Sequence, residues 1–207
     1  DRPPDALSLG GSTWSDLDLP VPASSVLDDL LARYSETSRA YHTTQHLEEC
    51  FEQFALASHL SSRSGEVQVA LWFHDAIYDT RSFQNEERSA AWASEVLAAA
   101  GAPSEVQLRV RDLVLATRHN AAPTSEDARL TVDIDLSILG ASPSRFDEYE
   151  LQVRREYSWV TDPVFRQARA KILRDFDAHA FVYSTDFFRE RLEARARSNL
   201  VRSLERF

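Results

Sequence analysis

The chain has 207 residues, with 23 lysines and arginines against 33 aspartates and glutamates, so its formal net charge is −10. Such an acidic surface repels polyanions, which argues against non-specific DNA or RNA binding and leaves small phosphorylated ligands open. The single cysteine excludes an internal disulfide framework and is compatible with a reducing compartment. No apolar run reaches the ~18–20 residues of a membrane span. These features predict a cytoplasmic protein with no membrane segment.

Residues 1–23 are rich in proline and glycine and predict an arm without regular structure. From residue 24 onward apolar residues recur at helical spacing, and glycine is scarce along the whole chain. No linker or internal repeat interrupts this pattern. The sequence therefore predicts an all-α fold in which residues 24–207 form one helical bundle domain.

Start and stop signals place the helices in chain order. Helices are expected from Ser24, from Thr43 or Thr44, after Ser64, and from Asn85 to just before Gly101, where glycine follows the last alanines. A capping box of Ser104 and Gln107 predicts a further helix that ends near His119. The remaining predicted helices are 125–139 (which stops at Gly140), 144–160, 163–178 and 185–207.

Polar side chains fall on helix stripes that should be buried. In the helix after Ser64, His74 and Tyr78 continue the stripe of Val67 and Leu71, and Asp75 is the next residue along. His46 shares its helix face with Cys50 and Phe54, and Asp133 and Asp135 alternate with apolar residues further on. Buried imidazoles and carboxylates must be paired or bind a metal.

This donor set predicts a mixed imidazole and carboxylate site without a thiolate ligand, suited to Mn²⁺, Fe²⁺, Co²⁺, Ni²⁺ or Mg²⁺. Each element alone has a plainer interpretation. A His-Asp pair also occurs as a helix histidine beside a solvated acid, and Asp133 or Asp135 also fits a helix cap or an arginine pair. The combination, in the order histidine, His-Asp, aspartate, favours the metal site.

At this point the sequence resembles the HD-domain superfamily of metal-dependent phosphohydrolases, and most closely a bacterial and fungal group of about this length. The resemblance covers roughly residues 26–203. The segments that carry it are 39–46 (RAYHTTQH), 70–79 (ALWFHDAIYD), 85–90 (NEERSA), 116–119 (ATRH), 133–140 (DIDLSILG), 155–157 (REY) and 196–200 (ARSNL).

The resemblance implies one divalent metal ion held by His46, His74, Asp75 and Asp135. The choice of Asp135 over Asp133 rests on the Asp-Leu-x-x-Leu-Gly run that follows it. The run Tyr-His-x-x-x-His also resembles the one in cyclic-nucleotide phosphodiesterases, whose first histidine faces the substrate as a proton donor. This resemblance implies that His42 is the general acid, and Asp75 is expected as the second catalytic residue. Thr43 departs from the asparagine common at that position.

Substrate contacts are expected from a second set of residues. Arginines are candidates for phosphate capture because a guanidinium binds an anion with two hydrogen bonds, although pairing with the many acids is the plainer interpretation. His119 is a candidate substrate contact or part of a second metal site, with a helix C-terminal histidine as the alternative. The expected substrate-binding residues are Arg39, Tyr78, Asp79, Glu86, Arg118 and His119, with Arg154 and Arg155 as further arginines to consider.

The expected activity is therefore metal-dependent hydrolysis of a nucleotide or other small phosphate ester through a metal-activated water. Two alternatives stay open at the level of sequence: a di-iron oxygenase on the same scaffold, and a non-catalytic metal-binding sensor or interaction domain. The expected partner is the small phosphorylated substrate, and the chain is expected to be a monomer or a homodimer.

Overall fold

The computed structural model describes residues 13–206, and within that range the regular elements are helices, with no strand. The all-α prediction is confirmed. The described chain forms two compact units, one up to Val132 and the other from Asp133 onward. The prediction that residues 24–207 form a single domain stays a prediction. Within residues 13–206, none of the helices combines the length and the apolar character needed to cross a membrane.

The first unit is built around one central helix. Its elements are α1 (Ser24–Tyr34), α2 (Thr44–Ala57) with a 3₁₀ turn (Ser58–Leu60), α3 (Ser64–Phe73), α4 (Asn85–Ala99) and α5 (Ser104–Ala116). Every residue of α3 from Gly65 to Phe73 is buried, and α2, α4 and α5 pack on it. Since most of these residues are apolar, the burial of all faces of α3 supplies much of the hydrophobic stabilisation of this unit.

Helix α6 (Glu126–Asp135) begins in the first unit and ends in the second. The second unit continues with a 3₁₀ segment (Leu136–Gly140), α7 (Pro143–Glu156), α8 (Asp162–Ala178), the short α9 (Asp186–Phe188), a π-helical turn (Arg189–Glu193) and α10 (Ala194–Leu204). Helix α10 packs on α8 and on the 3₁₀ segment. Gly140 is needed there because a Cβ atom at this position would lie 2.6 Å from Leu192 Cβ.

The predicted glycine stop after α4 is confirmed in detail. Gly101 has a φ of 83°, and its N–H and that of Ala102 donate to the carbonyls of Ala98 and Leu97. These two bonds satisfy carbonyls that the end of a helix leaves open, and the left-handed φ favours glycine at that residue.

Other predicted boundaries were wrong. Residues 13–16 are helical, and Thr13 donates to Gln68 of α3, so the part of the arm that is described does have regular structure. Helix α3 ends at Phe73, which leaves Tyr78 outside the helix that was predicted to carry it. The predicted helix 185–207 is interrupted by the π-helical turn at Arg189–Glu193.

Candidate metal centre

Three donor atoms from two segments of the first unit meet at one point. His46 Nε2 lies 3.1 Å from His74 Nε2, and Asp75 Oδ2 lies 3.4 Å from the first of these nitrogens and 3.1 Å from the second. Donors bound at about 2.1 Å to one ion are about 3.0 Å apart when octahedral and about 3.4 Å apart when tetrahedral. The spacing of the three atoms therefore fits ligands that share one divalent ion.

The burial of these side chains leaves the site with one open side. The side chains of His46 and His74 are 2% and 1% exposed, whereas that of Asp75 is 18% exposed. Helix α2 positions His46, while His74 and Asp75 follow directly after the last residue of α3. The histidines thus form the inner wall of the site, and the aspartate lies toward its opening.

A backbone hydrogen bond determines which nitrogen of His74 is available. Its Nδ1 lies 2.8 Å from the carbonyl oxygen of Leu71, which only accepts hydrogen bonds, so Nδ1 carries the proton and donates it. In the neutral ring Nε2 then has a free lone pair directed toward His46 and Asp75. This is the arrangement by which metal-binding histidines are usually oriented.

The carboxyl group of Asp75 is held in its ionised form. Burial alone would raise its pKa, but while the imidazoles are protonated and no ion is bound, the charges on His74 and His42 and hydrogen bonds from His46 and His74 hold that pKa well below its usual range. A metal ion at this site would replace the protons on the Nε2 atoms that face Asp75. A carboxylate in this state is ready to bind a cation.

Cys50 also belongs to this cluster, contrary to the expectation that no thiolate would be available. Its Sγ lies 3.8 Å from both ring nitrogens of His46, and the donor atoms of Cys50, His46 and His74 all lie within 4.8 Å of one another. The signal in the sequence was the spacing of four residues between His46 and Cys50, which places both side chains on one helix face. Sequence reasoning used that spacing only as a sign of burial.

His42 lies beside the cluster on a stack of rings. Its imidazole stacks on the Tyr78 ring, with 4.0 Å between centroids and 27° between planes, and its centroid is 5.9 Å from that of His46. His42 is only partly buried, so the ring has access to solvent as well as to the site. The structure thus brings His42 and Tyr78 to the cluster, although Tyr78 is not on α3.

Arg39 is a buried clamp between the two segments of the site. Its guanidinium donates to the carbonyls of His42, Asp75 and Ala76 and to the carboxylate of Glu36, which occupies four of its five N–H groups. The side chain is completely buried. This geometry favours a positioning role for Arg39 over the phosphate contact expected from sequence.

The other expected substrate residues of this unit belong to the loop after α3 and to an ion-pair network. Asp79 Oδ1 accepts from the N–H of Arg81, and the Asp79 backbone exchanges two hydrogen bonds with the Asn85 side chain. Arg118 pairs with Glu86 and Glu87 and donates to the carbonyl of Phe83. His119 follows the end of α5 with a φ of 57°. Their role as substrate contacts stays a prediction.

In the second unit, the two candidate aspartates have different surroundings. Both carboxylate oxygens of Asp133 accept hydrogen bonds, from the N–H groups of Ser184 and Thr185 and from the Thr185 hydroxyl. Burial raises the pKa of Asp133, and these bonds oppose that effect. Asp133 therefore holds the loop before α9. Asp135 is the partly exposed last residue of α6, and its role as a ligand stays a prediction.

Comparison with protein-family models, with curated proteins and with solved structures gives no match for this chain.

Proposed function

We propose that this protein is a metal-dependent hydrolase of small phosphate esters. The observation that carries the proposal is the triangle of donor atoms from His46, His74 and Asp75, with edges of 3.1–3.4 Å. Its support is twofold: the spacing suits one divalent ion, and the Leu71 carbonyl directs the lone pair of His74 into the triangle. The resemblance to the HD-domain superfamily supplies the reaction class.

Under this proposal His46, His74 and Asp75 hold the ion, and Asp135 is the fourth ligand. The case for Asp135 is the sequence resemblance together with the commitment of Asp133 to the loop before α9. A divalent ion at such a site polarises a phosphoryl oxygen and lowers the pKa of a bound water. With four protein ligands, a six-coordinate ion would keep two positions for water and substrate.

His42 is proposed to donate the proton that the leaving oxygen requires. An imidazole can give up a proton to a leaving group and regain it from solvent. The stack on Tyr78 restricts the orientation of the ring, and the bond from Arg39 to the His42 carbonyl fixes its backbone. The partial exposure of His42 provides the route by which the ring is protonated again.

The proposed substrate is small, a nucleotide or a similar phosphate ester. A net charge of −10 disfavours a polymeric polyanion, whereas one bound cation neutralises a small phosphate locally. Contacts from Tyr78, Asp79, Glu86, Arg118 and His119 are part of this proposal. Because Arg118 is already paired with two glutamates, a phosphate would have to displace one of them to bind it.

The test is metal analysis of protein purified without added metal, followed by a phosphoester panel with Mn²⁺, Co²⁺, Ni²⁺ or Mg²⁺. We expect one divalent ion per chain and hydrolysis of at least one ester. His46→Ala and Asp75→Ala should lose bound metal and at least a hundredfold in rate. His59→Ala is the matched control, because His59 is an exposed histidine that has no part in the proposed site.

Three results would overturn the proposal. An Asp75→Ala protein that keeps both its metal and its hydrolysis would exclude the ligand assignment. Two irons per chain with iron-dependent oxygen consumption would establish an oxygenase. Bound metal without turnover on any member of the panel would establish a binding domain.

A further inference from the structure

Cys50 is a buried residue whose sulfur lies within reach of the candidate metal centre. It lies one helical turn after His46 on α2, is 1% exposed, and its Sγ is 3.8 Å from His46 Nε2. A sulfur at about 2.3 Å and a nitrogen at about 2.1 Å from one tetrahedral ion are about 3.6 Å apart. The observed separation is within a few tenths of an ångström of that value.

We propose that Cys50 adds a sulfur donor to the metal centre, and this inference rests on the metal site of the proposed function. On binding, the S–H bond breaks, its proton leaves to solvent, and a sulfur–metal bond forms with no change in oxidation state. His46 and Cys50 then bind from successive turns of α2, while His74 and Asp75 bind from the end of α3.

A sulfur donor determines which metals the site prefers. Mg²⁺ and Mn²⁺ favour oxygen ligands, whereas thiolate with imidazole favours Zn²⁺, Co²⁺ and Fe²⁺. The expected ions are therefore Fe²⁺ and Co²⁺ from the set predicted from sequence, together with Zn²⁺, which that set did not include. Mg²⁺ is expected to bind weakly and to be displaced by an equimolar amount of Co²⁺.

The experiment is a Co²⁺ titration of the full chain after its metal has been removed with a chelator. Visible d–d bands report that the ion is bound, and a near-ultraviolet sulfur-to-cobalt charge-transfer band reports a thiolate ligand. Because Cys50 is the only cysteine of the chain, that band has one possible source. We expect both sets of bands to saturate at one Co²⁺ per chain.

Two variants complete the test. Cys50→Ser should keep the visible bands, lose the near-ultraviolet band and bind Co²⁺ about 10–100-fold more weakly. His46→Ala should lose both sets of bands, which separates the site from binding by an isolated thiol. The spectrum of the unmodified protein decides the question even if a variant fails to fold.

The outcomes separate this inference from the function on which it rests. Visible bands without the charge-transfer band in the unmodified protein would overturn the sulfur ligand and leave the proposed metal centre intact. A charge-transfer band that persists in His46→Ala would also overturn the inference, because the cysteine would then bind outside the cluster. No Co²⁺ binding at all would overturn the metal centre itself.

Discussion

Replacing Arg39 with methionine tests the claim that this buried arginine holds the two segments of the site together. Methionine keeps much of the side-chain volume but removes every N–H group. The carbonyls of His42, Asp75 and Ala76 would each lose a donor at 2.6–3.2 Å. An unsatisfied buried polar group costs about 1–3 kcal/mol, and such costs do not add fully, so we expect a total loss of roughly 3–5 kcal/mol.

The measurement is urea unfolding followed by circular dichroism, where the loss should appear as a lower midpoint with an unchanged slope. Arg33→Met is the matched control. Arg33 pairs with the same Glu36 at 3.1 Å, but its side chain is 51% exposed, and exposed pairs contribute only about 0–1 kcal/mol. If Arg39→Met and Arg33→Met lowered the free energy of unfolding by the same amount, within about 1 kcal/mol, the claim that Arg39 holds the two segments together would be refuted.

Two further predictions concern single residues of the two units. The hydrogen bond from Arg202 lowers the pKa of Asp147, so this contribution to stability is full above the unfolded pKa of about 3.9 and is lost as pH falls through the folded value. Asp147→Asn should therefore cost up to about 1 kcal/mol at pH 7 in thermal unfolding, and a deficit that did not shrink as the pH falls below about 3.9 would contradict this. Gly140→Ala should cost about 1–3 kcal/mol through the clash with Leu192, and Gly101→Ala roughly 1–2 kcal/mol through its φ of 83° alone. Asparagine tolerates a left-handed φ but is larger than alanine. Gly101→Asn should therefore be more stable than Gly101→Ala, whereas Gly140→Asn should be less stable than Gly140→Ala. The opposite order in urea unfolding would show that the two causes are misassigned.

The parts of the fold that sequence predicted are those with a local physical cause. The end of α4 before Gly101 follows from the residue at that position, where the left-handed φ favours glycine. Helix periodicity also placed His46 and His74 on buried faces, and the structure brings them within 3.1 Å of each other.

The parts that sequence missed depend on tertiary contacts. No glycine or proline occurs between His74 and Gln84, so nothing local marked the end of α3 at Phe73. The burial of Arg39 could not be read from its neighbours, because an arginine among many acids is usually a surface partner for one of them. Its actual acceptors are mostly backbone carbonyls, one pair of them about 36 residues away.

The burial of α3 on all faces has a kinetic consequence for anything bound at its end. Amide groups in such a helix exchange with solvent only through the largest openings of a protein, because no smaller movement uncovers them. An ion held by His74 and Asp75 would be bound at the end of this slowly exchanging helix. His42 and Tyr78, which lie beside the ion site, belong to backbone outside the helices. Substrate and ion would then exchange through the open side of the site, while the ligands at the end of α3 keep their positions.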